Sequence, residues 1–160
     1  MKKSRAIISR LRPGSPAISV CARWRRGAFF KNDGLSFEDC LKQLAEFVEI
    51  VEREQDEEVA LLAVVRGIPV GTCLLARYEI DSVHDLTPWL AGLFVAPEFR
   101  KQSIGRELVA AIEGHAQEVG CNRLHLYTNS AEVYYARLGW LVSEHFLWDG
   151  KPFVLMYRDL

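Results

Sequence analysis

The apolar positions along the chain change their spacing several times, which predicts an alternation of helices and strands. In the stretch "SFEDCLKQLAEFVEIVE" they recur every three or four residues, as on one face of a helix. Ser36 and Asp39 stand at the spacing of a capping box at the start of this helix. A second helical face begins at Ile104, and Gly120 follows it where a C-terminal cap belongs. The apolar stripe of the first helix consists of Phe37, Leu41, Leu44, Phe47, Val48 and Val51.

Shorter apolar segments predict the strands of a sheet. "RAIISRLR" is the expected first strand, and a helix is expected after it over residues 17 to 28. "EVALLAVVRGIPVGTCLLARYEI" predicts two strands that turn near Arg66 and Gly67. "PWLAGLFV" predicts a third strand, in which Gly92 suits a bulge. The sheet is therefore expected to begin as an antiparallel meander.

The last part of the chain predicts a strand, a short helix and a hairpin. "NRLHLYT" has the composition of a strand, and "SAEVYYARLG" is expected to form a helix capped by Ser130 and closed by Gly139. "WLVSEHFLW" and "KPFVLMYRDL" predict a hairpin with Asp149 and Gly150 in its turn. This order of elements predicts a single α/β domain over residues 1–160.

Composition and charge restrict the functions that such a domain can serve. Hydrophobic residues make up 49% of the 160 residues and charged residues 26%, as is typical of a globular protein. The net charge is -1, so we expect no broad basic surface that would hold nucleic acid or an anionic membrane. The first residues lack the apolar segment and cleavage site of a secretory signal, which predicts a cytoplasmic protein.

The cysteines and histidines predict neither a disulfide framework nor a metal site. No C-x-x-C pair is present, and no histidine follows a cysteine at zinc spacing, so core thiols are expected. His115, His125 and His145 fall within a predicted helix or strand, where structural histidines are the commoner case. The four cysteines are Cys21, Cys40, Cys73 and Cys121.

The stretch "APEFRKQSIGREL" joins the end of a predicted strand to the start of a helix. Unpaired backbone N–H groups and the positive end of the helix dipole converge at such a junction, which favours an anion. Arg100, Lys101 and Arg106 add positive charge there, and the small Ser103 and Gly105 allow a diphosphate to approach the backbone. The alternative interpretation is an ordinary helix start with solvated basic side chains.

This loop resembles that of the GNAT superfamily of acetyl-CoA dependent N-acetyltransferases. The family pattern is "VxPxxRGxGIG", and this chain has "VAPEFRKQSIG". Lys101 and Ser103 replace the two usual glycines, which implies either a strained backbone or a capping or phosphate-binding role for the Ser103 hydroxyl. The matching positions are Val95, Pro97, Arg100, Ile104 and Gly105.

A second stretch, "NSAEVYYARLGW", resembles the later family pattern of an asparagine followed by a short helix that ends in "Y-x-x-x-G-F". Here the pattern falls on Asn129, Tyr135, Gly139 and Trp140. Two matches in the right order, within the right run of elements, are far more specific than one glycine-containing loop. The resemblance covers most of the chain and is strongest from Pro88 to Trp140.

The resemblance implies an α/β (α+β) fold with a mixed, mostly antiparallel sheet of six to seven strands and about four helices on its two faces. It further implies that the fourth and fifth strands splay and that acetyl-CoA, the cosubstrate, places its pantetheine arm between them. The cofactor-binding residues implied in this way are Leu93, Phe94, Val95, Arg100, Lys101, Gln102, Ser103, Ile104, Gly105, Arg106, Asn129 and Tyr135.

The implied chemistry needs a proton donor and a proton acceptor. Tyr135 matches the general acid of the family, with a core aromatic as the alternative, whereas Tyr134 is expected in the core. The backbone N–H of Leu93 is the expected oxyanion donor. Trp89 stands where several relatives carry a glutamate, so the base is open. Its candidates lie in the preceding loop and are Glu79, Asp81, His84 and Asp85, of which Asp85 is taken as the assignment to test.

The acceptor is expected to be a small amine or an exposed peptide amine. Phe29, Phe30 and Trp89 are expected to form an aromatic wall, and the acidic residues of the loop would attract a cation. We expect a monomer or a homodimer. Two other functions remain open, namely a GNAT-fold module that binds CoA without turnover and an unrelated phosphate-binding or interaction domain.

Overall fold

A computed structural model describes residues 5–79 and 84–160. Its strands form one sheet in the order β1-β2-β3-β4-β5-β7-β6, and every neighbouring pair is antiparallel except β4 with β5. The expected mixed and mostly antiparallel sheet is therefore confirmed. The strands are β1 (Ile7–Arg10), β2 (Val59–Val65), β3 (Ile68–Ala76), β4 (Trp89–Val95), β5 (Arg123–Thr128), β6 (Leu141–Trp148) and β7 (Lys151–Asp159).

Four α-helices in the described residues cover the two faces of the sheet. One face packs against α3 through buried Leu108 and Ile112, and the other packs against α1 and α2 through Cys21 and Leu44. Burying a leucine or isoleucine side chain contributes about 1.5–3 kcal/mol, so both layers stabilise the sheet. None of the described helices has the length and hydrophobicity needed to span a membrane. The helices are α1 (Ala17–Arg25), α2 (Phe37–Glu54), α3 (Ile104–Glu118) and α4 (Glu132–Arg137).

Strands β4 and β5 diverge as the sequence resemblance implies. Among the described residues, Trp89 with His125 is the only pair between them, whereas β5 pairs with β7 along its whole length. β4 instead continues along β3, with an irregular register opposite Gly92, whose φ is +60°. The bulge expected at this glycine is therefore present, and a V-shaped gap opens between the two strands.

The two expected hairpin turns and the capping box of α2 are confirmed. Arg66–Gly67 and Asp149–Gly150 all have positive φ angles, as two-residue hairpin turns require. At the start of α2 the Asp39 N–H donates to the Ser36 hydroxyl oxygen at 3.1 Å, and the Ser36 N–H donates to the Asp39 carboxylate at 2.9 Å. These hydrogen bonds lower the pKa of Asp39.

Two predicted helices differ from the structure. The helix expected over 17 to 28 ends as α1 at Arg25 and continues as a π-helical turn, Arg26–Phe30, where the Arg26 Nε donates to the Leu35 carbonyl at 3.0 Å. The expected cap at Ser130 is wrong, because α4 begins at Glu132 with Ala131 before it. The Thr128 hydroxyl oxygen instead accepts hydrogen bonds from the backbone N–H groups of Ser130, at 3.4 Å, and Ala131, at 3.0 Å.

The interpretation as structural residues is confirmed for three of the four cysteines and for two histidines. Cys21, Cys40 and Cys73 are buried free thiols, whereas Cys121 is only partly buried. A ring nitrogen of His115 lies 2.9 Å from the Glu57 carbonyl oxygen, and one of His125 lies 3.2 Å from the Pro88 carbonyl oxygen.

Replacing Ser36 by alanine should destabilise the fold by about 1 kcal/mol, because the N–H of Asp39 loses its acceptor. For a chain of this size the melting temperature should fall by about 2–4 °C in a thermal unfolding experiment. The control is Ser143→Ala in β6, an exposed serine, which should shift the melting temperature by less than half as much. Equal shifts for the two variants would show that the capping box does not stabilise α2.

Candidate active site

The loop between β4 and α3 presents backbone donors to one point at the mouth of the gap. After β4 the chain makes one tight turn, Pro97–Phe99, and α3 begins at Ile104. The N–H groups of Ile104, Gly105 and Arg106 belong to the first helical turn and have no carbonyl partner within the helix. This end of α3 also carries the positive end of the helix dipole. The loop can therefore hold an anion by its backbone alone.

Both residues that replace the usual glycines adopt the left-handed backbone conformation that favours glycine. The φ angle is 61° at Lys101 and 68° at Ser103. Such a conformation costs a residue with a side chain about 1–2 kcal/mol. The Ser103 side chain makes no capping hydrogen bond to α3. The helix cap is therefore wrong and the strained backbone is confirmed, while the phosphate-binding role of the Ser103 hydroxyl stays a prediction.

Arg100 ties the loop to the end of β4. Its Nε donates to the Val95 carbonyl at 2.9 Å, and its guanidinium carbon lies 5.4 Å from the centre of the Phe94 ring. Phe94 in turn stacks on Trp24 of α1 at 5.3 Å. These contacts fix the direction in which the strand leaves the sheet. The side chains around Arg100 that point to solvent are Lys101, Gln102, Ser103 and Arg106.

The backbone of β4 is accessible on the side that faces the gap. Leu93, Phe94 and Val95 are half-buried and lie beyond the only described pair with β5. Asn129 follows β5 on the other side of the gap and is exposed, where it lines a shallow cleft of about 360 Å³ with residues of the terminal hairpin. Leu93, Phe94 and Val95 thus follow the divergence on β4 and Asn129 follows it on β5, and their shared role in binding acetyl-CoA stays a prediction.

Tyr135 and Tyr134 differ in burial, though not in the way the sequence predicts. Tyr135 is 8% exposed and packs edge-on against Trp140 at 6.1 Å, and this burial raises its pKa far above the ordinary value. Tyr134 is 40% exposed, so its interpretation as a core residue is wrong. A Cβ at Gly105 would lie 2.6 Å from the Tyr134 hydroxyl, which therefore contacts the first turn of α3.

A cavity of about 240 Å³ lies on the opposite face of the sheet, between α2 and the end of β3. Phe30, one of the residues predicted for the acceptor wall, lines it. Phe29 is 45% exposed and does not belong to the lining. Trp89 is 1% exposed, and its indole N–H donates to the Leu86 carbonyl at 2.6 Å. Trp89 thus supports the strand from within the core.

The candidate bases of the β3–β4 loop occupy different environments. Glu79 lines the cavity and accepts a hydrogen bond from the Tyr127 hydroxyl at 3.1 Å. Burial, together with the neighbouring charge of Glu79, raises the pKa of Tyr127. Asp85 is exposed, and the His84 ring packs edge-on against Phe146 at 5.1 Å. Asp81 lies outside the described residues.

Sequence reasoning missed Arg25, which brings a positive charge to the bulge of β4. A Cβ at Gly92 would overlap the Arg25 Nη1, so a larger residue at this position would displace the end of the Arg25 side chain. The same side chain lines the cavity. No motif surrounds Arg25 in the sequence, and its contact with β4 depends on how α1 packs. Spacing along the chain therefore carries no signal for it.

Comparison with known proteins decides the family. The model of the acetyltransferase (GNAT) family matches residues 21–140, which include both the loop at the start of α3 and most of α1. The chain belongs to this acetyltransferase (GNAT) family. The GNAT match thus confirms the resemblance found in the two sequence motifs.

One GNAT relative is a Bacillus subtilis (strain 168) protein named "putative acetyltransferase". It is 35% identical over 102 residues, a match that spans 62% of this chain and 65% of the relative. The chain therefore matches less than two thirds of that relative's length.

Solved structures show the same fold. An aminoglycoside 6'-N-acetyltransferase complexed with coenzyme A has a TM-score of 0.71 at 19% identity, with 96% of each chain covered. Ribosomal-protein-alanine N-acetyltransferase from Brucella melitensis has a TM-score of 0.74 at 16% identity, with 96% of this chain and 99% of that chain covered. At these identities the likeness establishes the GNAT fold, while the activities named belong to those proteins.

The left-handed conformation of Ser103 generates a test of the loop. Ser103→Gly should stabilise the GNAT fold by about 0.5–1 kcal/mol, because relief of the backbone strain exceeds the extra entropy of glycine in the unfolded chain. Ser103→Ala is the matched control, since it removes the hydroxyl but keeps the Cβ, and it should give no gain in melting temperature. A loss of stability in both variants would instead assign a stabilising role to the hydroxyl.

Proposed function

We propose that this protein is an N-acetyltransferase that transfers the acetyl group of acetyl-CoA to a primary amine of a small molecule or peptide. Transfer is direct, within a ternary complex of protein, acetyl-CoA and amine. The observation that carries the proposal is the gap between β4 and β5, with the donor-rich start of α3 at its mouth. A CoA molecule has the matching parts, a long amide-containing arm and a diphosphate.

The diphosphate would lie against the loop of residues 100–106. Backbone N–H groups of Ile104, Gly105 and Arg106 point there, and Arg100 and Lys101 add charge. Gln102 and Ser103 belong to the same loop, which lets the backbone approach the phosphates. The pantetheine arm would run along Leu93, Phe94 and Val95, with Asn129 across the gap. This placement brings the thioester to the bulge at Gly92.

The reaction exchanges one bond at the acetyl carbon. The amine nitrogen attacks the thioester carbonyl, the C–N bond forms, and the negative charge collects on the carbonyl oxygen before the C–S bond breaks. We assign the Leu93 backbone N–H as the donor to this oxygen, because Leu93 follows the bulge at Gly92, where the regular pairing of β4 with β3 is interrupted. The amine loses a proton and the CoA thiolate gains one, which leaves an amide and a thiol.

We assign Tyr135 as the donor to the leaving sulfur. Burial raises its pKa, so the phenol is protonated throughout the physiological range. The same shift makes complete proton transfer to a thiolate uphill, because the phenol is then the weaker acid. Tyr135 would therefore act first as a hydrogen-bond donor that stabilises the negative charge on the sulfur. The proton that the amine releases would then supply the proton that the CoA thiolate gains.

For the base, the cavity favours Glu79 over Asp85. A base must lie within hydrogen-bond reach of the amine or of one bridging water. Glu79 lines the cavity and is oriented by the Tyr127 hydroxyl, whereas Asp85 is exposed on the loop. We therefore propose Glu79 as the residue that receives the amine proton, directly or through water, and Asp85 as the second candidate.

A GNAT-fold module that binds CoA without turnover is the alternative function. The observation in its favour is the strained loop, in which Lys101 and Ser103 replace glycines that the family uses there. Release of free thiol from acetyl-CoA, followed over a panel of amines, distinguishes the two functions. A module without turnover would bind CoA and release no thiol with any amine.

Arg100→Glu should weaken CoA binding at least tenfold, or about 1.4 kcal/mol, because an attraction for the diphosphate becomes a repulsion. Titration calorimetry with CoA measures the change. Arg53→Glu, at an exposed position near the end of α2, changes the net charge equally and should leave the affinity within about twofold. Equal affinities for Arg100→Glu and the wild type would place the diphosphate elsewhere.

Tyr135→Phe should lower kcat about a hundredfold while acetyl-CoA affinity barely changes, because the ring is kept and only the donor to sulfur is removed. Tyr134→Phe is the matched control on the same helix and should change kcat by less than about threefold. The measurement is thiol release at saturating acceptor, with CoA affinity from calorimetry. Equal small losses in the two variants would show that water, and not Tyr135, serves the leaving thiolate.

A further inference from the structure

One guanidinium nitrogen of Arg25, buried and without a hydrogen-bond partner among the described residues, lies between the cavity and the bulge of β4. Arg25 ends α1, and its Nη1 is shielded from solvent with no hydrogen-bond acceptor among the described residues. A Cβ at Gly92 would overlap this nitrogen and would lie 3.2 Å from the Arg25 Cζ. The positive charge therefore sits beside the point where the proposed thioester meets the acceptor.

The chain itself compensates this charge only in part. The Arg25 Cζ lies 5.5 Å from the centre of the Phe30 ring, a contact that stabilises a cation without neutralising it. Burial lowers the pKa of Arg25, and the neighbouring Glu79 opposes that shift. A guanidinium nevertheless remains charged in proteins, and a buried donor without an acceptor is unfavourable. An anionic group brought by a ligand would supply the missing partner.

The cavity beside Arg25 carries charges of both signs. Its lining includes Glu58 and Glu79, of which Glu58 accepts the Arg77 N–H at 2.8 Å and Glu79 accepts the Tyr127 hydroxyl at 3.1 Å. An acceptor that carries only positive charge would meet Arg25 as its amine approaches the acetyl group, and like charges at short range repel. An acceptor with an ammonium and a carboxylate would match both kinds of lining residue.

The cavity also restricts the size of the acceptor. Its volume of about 240 Å³ lies below the range of about 300–1,000 Å³ that is usual for ligand sites. The apolar part of the lining, formed by Phe30, Leu44, Phe47 and Leu74, can cover an aliphatic or aromatic side chain. The site is therefore suited to a molecule of about the size of one amino acid.

We propose that Arg25 binds the carboxylate of an amino-acid acceptor and selects amines that carry a carboxylate close to the nitrogen that is acetylated. The inference rests on the proposed acetyl transfer and names the substrate class of that reaction. The bonds made and broken are those of the proposed reaction, because the carboxylate takes no part in them. Arg25 is thus assigned as a specificity residue, which binds the acceptor without moving a proton.

Matched acceptors test this assignment. Lysine and cadaverine, or phenylalanine and phenethylamine, share a side chain and an amine and differ in one carboxylate. With the wild-type protein, kcat/KM should be at least about tenfold higher for the amino acid, as one charge-assisted hydrogen-bonded pair implies. In Arg25→Gln the ratio within each pair should fall to about one, with the change mainly in KM.

Controls separate binding of the carboxylate from other roles of the same side chain. Arg23→Gln removes an exposed arginine from the same helix and should leave the ratio within about twofold of the wild type. Should Arg25→Gln fail to fold, Arg25→Lys keeps the charge without the planar fork and should lower the ratio. An equal loss of kcat/KM for both members of a pair in Arg25→Gln would assign Arg25 to the oxyanion and overturn the proposal. A wild-type protein that does not prefer the amino acids would overturn it as well.

A binding measurement keeps this proposal distinguishable from the proposed activity. In calorimetry with CoA present, phenylalanine should bind the wild type about tenfold more tightly than phenethylamine does, and Arg25→Gln should abolish the difference. If phenylalanine binds through Arg25 but no acceptor releases thiol, acetyl transfer is refuted while the carboxylate site stands. If phenethylamine and cadaverine turn over as well as the amino acids, the transfer stands and the carboxylate site is refuted.

Discussion

Strands β4 and β5 share a single described pair, Trp89 with His125, and the candidate active site depends on their divergence after it. β4 is held by β3 and β5 by β7, so each strand satisfies its backbone on one side and turns the other side toward the gap. The bulge at Gly92 bends β4 away at the same level. Trp89 and Tyr127, which pack edge-on at 6.1 Å, hold the two strands together where they still meet.

Two positive regions of different kinds border this gap. One is the exposed loop before α3, where backbone N–H groups and basic side chains remain hydrated. The other is the Arg25 guanidinium, which is buried against Gly92. Salt and water weaken the attraction between the exposed loop and an anion. The Arg25 guanidinium acts in surroundings of low polarizability, where a partner of opposite charge is held more strongly. A protein with a net charge of -1 can thus still bind anionic groups at defined points.

Features set by short-range contacts were predictable from the sequence, residue by residue. The capping box of Ser36 and Asp39 forms because the two residues stand three apart on one helical turn. The hairpin turns at Arg66–Gly67 and Asp149–Gly150 follow from two adjacent positive φ angles, for which glycine is suited. Burial was less predictable, since nothing in the spacing places Trp89 in the core or leaves Tyr134 at 40% exposure.

The sequence by itself determined the order of helices and strands, the bulge at Gly92 and the loop that meets the start of α3, because periodicity, caps and turns act within a few residues. Only the tertiary structure decided which side chains line the cavity. Arg25 meets Gly92 because α1 crosses β4, and Tyr127 meets Glu79 because β5 returns beside β4. Such contacts join residues that are distant along the chain, so the packing of helices on the sheet, and not the spacing of residues, creates them.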